Sequence, residues 1–208
     1  MGATEENVRK AIATIESIGR CCVLIDEMEK SMNTNAVSGA GDSGTSSRMF
    51  ATLLSWLNDR TCPAFIVATS NNFTIMPPEL LRKGRFDELF WLDLPDQAER
   101  KEIWNVVIKK YKRDPKNFSI SDLASKSDGF VGSEIEAVFQ SAMYDAFYKD
   151  KEVEDDHVIN QLKDTQPQSK VNQVSLDKMR DAAKGKLRSA REMCDIEKSF
   201  RNIEQSLS

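Results

Sequence analysis

Residues 22–30 read CVLIDEMEK, an apolar run that stops abruptly on the two acids Asp26 and Glu27. A segment apolar at every position from Cys21 to Ile25 predicts a strand buried on both faces, as in a parallel sheet. The carboxyl ends of such strands form the ligand-binding edge of an α/β sheet, which puts both acids where chemistry is done. Successive strand side chains point opposite ways, so Asp26 and Glu27 cannot share one job. One carboxylate can hold Mg²⁺, usually through water, and the other can activate a water for attack on a γ-phosphate. Taken alone, the pair also fits an ordinary strand running into the acidic start of a helix.

The surroundings fit the α/β reading. Residues 4–18 place Val8, Ala11, Ile12 and Ile15 on one helical face, with Thr4 as a cap and Glu5 and Glu6 at the positive end. Residues 30–44, rich in Ser, Asn and Gly, predict a mobile loop. A second helix follows over 46–57, with Met49, Phe50, Leu53, Leu54 and Leu57 at helical spacing. Residues 64–69 (AFIVAT) predict a second buried strand and 89–92 (LFWL) a third. Between them, Pro77-Pro78 blocks a helix before it and permits a helical start at 79–81. Alternating helix and strand is the signature of a parallel sheet.

Beyond Pro95 the pattern is helical only. Asp96 and Glu99 form a capping pair ahead of Ile103, Trp104, Val107 and Ile108. Residues 121–127 predict a short helix and 133–148 a longer one with Ile135, Val138, Phe139, Ala142 and Met143 inward. Residues 149–174 are mostly polar, and a last helix is expected over 175–187, with a break at Gly185. The expected organisation is an α/β part over 1–95, an all-helical part over 96–190 and a tail over 191–208.

Composition narrows the function classes. The 208 residues are 40% hydrophobic and 30% charged, enough to bury a normal core. No run approaches ~18 apolar residues, so no membrane span is expected. The polar, acidic start lacks a signal-peptide core, and Glu6 spoils a myristoylation reading of Gly2. Four cysteines without CxxC spacing predict reduced thiols and a cytoplasmic protein. His157, the single histidine, follows Glu154-Asp155-Asp156, which reads as a solvated charged stretch rather than a metal site. The net charge of −4 gives no indication of nucleic-acid binding.

Two further motifs accompany the acids. The second strand ends in Ser70-Asn71-Asn72. Beside the first strand, such an asparagine would lie near the water polarised by Glu27 and could orient it without carrying charge. A plain strand-to-loop turn also favours Asn. PPELLRKGRFDE (residues 77–88) sets Arg82 and Arg85 around a glycine near a turn, a geometry suited to clamping phosphate. Local pairing of Arg85 with Asp87 or Glu88 is the bland alternative.

In order and spacing, these motifs resemble the AAA+ ATPase superfamily in its AAA-proper clade. The match runs from GATEENVR (residues 2–9) through VLIDEMEK (Walker B), ATSNN (sensor 1) and PPELLRKGRFDE (arginine fingers) to SDGFVGSEIEAVF in a helical lid. SGTSSRMFATLLSWLND, PPELLRKGRFDELFWLDLP and VSLDKMRDAAKGKLRSA look most like a bacterial and plastid-genome group within the clade. The resemblance implies a partial P-loop NTPase-type parallel sheet with helices, followed by an all-α lid. It implies ATP and Mg²⁺ as ligands, with Asp26 on the metal and Glu27 as base. Asn71 is the sensor-1 residue by ungapped count, with Asn72 as runner-up. Arg82 and Arg85 act on a neighbouring subunit's nucleotide, and Gly132 and Ser133 fall where the lid approaches the nucleotide. A ring, commonly hexameric, acting on a macromolecule is implied, located in the cytoplasm or the plastid stroma.

One departure stands out. The phosphate-binding G-x-x-x-x-G-K-[ST] loop should precede Asp26 by roughly 50 residues. Only 25 residues lie upstream, and no such motif occurs anywhere in the chain. The GAGDSGTS stretch at 39–46 has glycines but no Lys-Ser/Thr pair and follows the acids instead. Two expectations follow: an ATPase segment inactive without a missing upstream half, or a non-catalytic subunit that docks on an active ATPase and supplies arginines in trans.

Overall fold

The computed structural model describes residues 3–31, 43–82 and 84–191. Most of the Ser/Gly loop and of the expected C-terminal tail therefore lies outside the described residues. Two compact units emerge, one of residues up to Trp91 together with the segment from Ala182, the other of Leu92–Asp181. This division falls just ahead of Pro95, and the segment expected to complete the helical part rejoins the first unit instead.

The first unit is built on α1 (Ala3–Ile18), β1 (Cys22–Ile25), α2 (Ser43–Asp59), β2 (Phe65–Ala68) and β3 (Phe90–Trp91). Strands β1 and β2 are parallel neighbours, with Cys22 opposite Phe65 and Ile25 opposite Ala68. The ladder runs on beyond both strands: Thr69 N–H donates to the Ile25 carbonyl at 2.9 Å, and Met28 N–H to the Thr69 carbonyl at 2.9 Å. One sheet face packs on the helices, where Ile25 and Ile66 join Ile12, Ile15, Leu53, Trp56 and Leu57. Trp56 satisfies its indole N–H on Glu16 at 3.1 Å.

Among the described residues nothing buries the opposite face. Leu24 is 65% exposed and Phe65 70%, with Val67 beside them. Burial on both faces, expected from the uninterrupted apolar run, is therefore not what the chain shows. The run reflects what each strand is suited to, while the described elements cover only one side.

After β2, residues 77–82 form overlapping four-residue turns rather than a helix, with Leu80 N–H on the Pro77 carbonyl at 3.0 Å. Leu80 itself is buried. Strand β3 pairs in parallel with an unforeseen strand, β4 (Arg188–Ser189). Positive φ at Gly185 lets the chain turn into β4 after the helix that ends at Ala183, a conformation glycine adopts without strain.

The second unit holds α3 (Gln97–Lys110), α4 (Ile120–Lys126), α5 (Gly132–Tyr148), α6 (Asp155–Asp164), α7 (Gln168–Val171) and most of α8 (Gln173–Ala183). The capping box is present: Asp96 accepts from Glu99 N–H at 2.9 Å, and Glu99 accepts from Asp96 N–H at 2.8 Å. Trp104, Ile108, Ile135, Phe139 and Val158 are fully enclosed, with Trp104 donating to Ser127 at 3.0 Å. Buried Arg100 is fully engaged, donating to the Ala124 and Pro95 carbonyls and pairing with Asp128. Helix α6 arises within the stretch read as merely polar, because Val158 and Leu162, one helical turn apart, are both buried.

Candidate functional site

The site is assembled where β1 and β2 end side by side. Since Ile25 pairs with Ala68, the next residues, Asp26 and Thr69, also meet. The Thr69 hydroxyl donates to Asp26 Oδ1 and accepts the Glu27 backbone N–H at 3.0 Å. With its backbone N–H and carbonyl already in the ladder, Thr69 secures both acids from the neighbouring strand. Sequence reasoning passed over it. The available signal was a hydroxyl residue one place past a strand, in register with an acid.

Glu27 adopts φ 50°, a left-handed conformation uncommon for a non-glycine residue. This twist ends the strand and turns the Glu27 side chain toward the loop after β2. There Asn71 Nδ2 donates to Glu27 Oε1 at 3.1 Å. Asn72 does something else: its side chain accepts from Thr74 N–H at 3.1 Å and caps the short turn at Phe73–Ile75. Phe73 in that turn meets Trp91 of β3 edge-on, with ring centres 6.1 Å apart. On the other side, Lys30 pairs with Glu27 Oε2 at 2.5 Å. That contact with Glu27 raises the Lys30 pKa above its ordinary value.

Beneath this layer lies Glu29, only 5% exposed. Its Oε1 accepts the Asn71 backbone N–H at 3.1 Å. Burial pushes the carboxyl pKa up. Hydrogen bonds from Ser70 and from the Glu29 and Asn71 backbones, with the charge of Lys30, outweigh it and leave the pKa below the ordinary value.

Arg82 is exposed and Arg85 half-buried. Glu88 pairs with Arg188 at 3.6 Å. Among the described residues Arg85 forms no ion pair with Asp87 or Glu88, and its buried Nη1 has no hydrogen-bond partner. Gly132 and Ser133 open α5 in the second unit. Glu134 in the same turn accepts the Val131 N–H at 2.9 Å and the Gln168 N–H at 2.8 Å.

As a cation site the cluster suits one mode only. Among the described residues no group of three or more His, Cys, Asp or Glu could hold a metal. Mg²⁺ needs less, keeping several waters and taking other ligands from substrate phosphates. Asp26, exposed at its strand end, fits that mode. None of the described helices is long and apolar enough to cross a membrane.

Residues 1–94 match the ATPase family associated with various cellular activities (AAA). The chain is 40% identical over 192 residues to the AAA domain-containing protein ycf46 of Trieres chinensis, covering 91% of this chain and 38% of that protein. The ycf46 protein of Guillardia theta is likewise 40% identical, over 194 residues, with 91% and 38% covered. A cell division cycle protein 48 homolog of Archaeoglobus fulgidus is 28% identical over 144 residues, 68% of this chain and 19% of that protein. The chain thus spans well under half the length of these relatives. Sequence match, parallel strands and helical unit agree: residues 1–94 match the AAA family of ATPases, and the chain as a whole is similar to the ycf46 AAA proteins.

Proposed function

We propose that this chain carries the water-activating part of an ATP hydrolysis site, working with Mg²⁺ in a ring of AAA subunits. The 3.1 Å hydrogen bond from Asn71 to Glu27, across adjacent strand ends, carries the reading. A bound Mg²⁺ supplies charge neutralisation at the phosphates, and Asp26 is the residue that holds it. Glu27 takes the proton from the attacking water, and Asn71 orients that water from its place beside the carboxylate. Gly132 and Ser133, at the amino end of α5, offer backbone N–H groups to the nucleotide.

Arg82 and Arg85 serve a neighbouring subunit's nucleotide, a role supported by the unengaged Nη1 of Arg85. The phosphate cradle comes from polypeptide outside these 208 residues, which contain no G-x-x-x-x-G-K-[ST] motif. The bare face of Leu24, Phe65 and Val67, continuous with Asp26 and Thr69, suits it as a packing site. The hydrolysis is coupled to remodelling of a macromolecule. The same unpartnered Nη1 of Arg85 supports a second reading, a docking subunit that lends Arg85 to an active ATPase.

The test is Glu27→Gln in an ATPase completed by joining this chain to an AAA segment bearing the phosphate loop. ATP binding should persist while turnover drops by ~10²–10⁴, the usual worth of a general base. Turnover within about threefold of the parent, under ~1 kcal/mol of barrier, would remove Glu27 from this role. For the second reading, the chain alone should stimulate a partner AAA ATPase, and Arg85→Ala should abolish the stimulation.

A further inference from the structure

We infer that Glu29 is a positioning residue for hydrolysis: from beneath the site, its buried carboxylate holds the Ser70–Asn71 loop so that the Asn71 amide meets Glu27. The inference rests on the proposed role of Glu27 and Asn71 and deepens it. A carboxylate is costly to bury and is found inside only where hydrogen bonds compensate. Glu29 is 5% exposed, yet one of its oxygens, Oε2, lacks a partner among the described residues.

What the carboxylate does engage is specific. Oε1 accepts the backbone N–H of Asn71, the very residue whose side chain reaches Glu27. Ser70, the preceding residue, helps to lower the pKa of the same carboxylate. Glu29 and Glu27 lie on one short turn, with Lys30 N–H bonded to the Glu27 carbonyl at 2.9 Å. The two acids therefore grip Asn71 from opposite ends, Glu29 at its backbone and Glu27 at its side chain. A loop with no regular structure is thereby locked to the strand end carrying the base. Loss of this grip leaves the asparagine present but misaligned, and small misplacements in a hydrolytic site cost rate far more than binding.

The experiment has two arms. In the 208-residue chain, amide hydrogen exchange is followed by NMR for the parent, Glu29→Gln and Glu29→Ala. Glu29→Ala should speed exchange of the Asn71 amide about tenfold or more, as expected for loss of a charge-assisted hydrogen bond, with Val67 and helical-unit amides unchanged. Glu29→Gln, which keeps an acceptor and the shape, should stay closer to the parent and guards against simple unfolding of the alanine variant. Unchanged Asn71 exchange in both variants overturns the inference, whatever the role of Glu27.

In the completed ATPase, Glu29→Ala should lower kcat about tenfold or more with KM little changed, as when a transition-state contact is lost. Added to Asn71→Ala, it should lower kcat no further, because it acts through that residue. Additive losses, or a rise in KM alone, also overturn the inference. If instead Glu27→Gln leaves turnover intact while Asn71 exchange responds to Glu29, the proposed hydrolytic role has failed and the structural grip stands.

Discussion

Thr69 and Asp26 meet across the ends of two parallel strands, the threonine hydroxyl donating to the carboxylate while accepting the backbone N–H of Glu27. One side chain thus fixes both acids without lying on their strand. Thr69→Val keeps the shape and removes both hydrogen bonds. We expect a loss of ~1–3 kcal/mol in urea stability of the first unit, the range for hydrogen bonds to charged groups and orphaned donors. Mg²⁺-dependent nucleotide affinity in the completed ATPase should fall as well. Unchanged affinity alongside lowered stability would limit Thr69 to folding.

Arg85 yields a prediction about assembly. Arginine fingers acting in trans contribute ~10³–10⁵ in rate. In the completed ATPase, Arg85→Ala should abolish hydrolysis and leave each subunit able to bind ATP. Mixing Arg85→Ala with Glu27→Gln subunits should restore turnover at interfaces where an intact base meets an intact finger. Full activity of Arg85→Ala alone contradicts the assignment.

Gly129 is a sharp structural test within the helical unit. Its φ is +81°, and an added Cβ would come within 2.8 Å of Ser169 Oγ, which donates to the Gly129 carbonyl. Gly129→Ala should destabilise this unit by ~1–3 kcal/mol through strain and crowding. The double variant with Ser169→Ala relieves only the crowding. Thermal melts should show partial recovery; complete recovery would mean the backbone conformation carries no strain.

The pH dependence of the helical unit follows from Glu136, which accepts from Lys110 at 2.5 Å and from Tyr111 at 2.8 Å. The Lys110 ammonium and then the Tyr111 hydroxyl hold the Glu136 pKa below its ordinary value, and Glu136 in turn raises the pKa of both partners. A depressed folded pKa means stability that is present above the ordinary carboxylate value of about 4.3 and lost as pH falls through the folded one. Raised pKa values for Lys110 and Tyr111 place a second loss on the alkaline side, above about pH 10. Melting temperature should be flat between these limits. Glu136→Gln should flatten the acid limb, and an unaltered limb would assign it to other carboxylates.

Where a residue's own chemistry dictated its environment, the sequence was readable. Asp96 and Glu99 announced a helix start, and the apolar run into Asp26 announced a strand end. Asn71 and Asn72 were distinguishable only by register, and the fold separates them by what each amide bonds. Thr69 and Glu29 escaped notice because their roles depend on which strand lies alongside, a long-range pairing with no local signal. Helix α6 escaped because two inward residues, Val158 and Leu162, sit among charges. Strand β4 is set by its pairing with β3 rather than by the propensities of Arg188 and Ser189.

The uncovered side of the β1–β2 pair governs how this polypeptide behaves in a tube. Among the described residues this sheet has two short parallel strands, a marginal number, and their outer edges present backbone groups that can template pairing with another chain. Leu24 and Phe65 stand beside those edges, each offering ~1.5–3 kcal/mol to any surface that buries it. Neither a charge nor a proline interrupts Cys22–Ile25 or Phe65–Ala68 to discourage such contacts. The same surface that suits an intramolecular covering is therefore an aggregation hazard, and charged substitutions at Leu24 and Phe65 are the direct route to a well-behaved preparation.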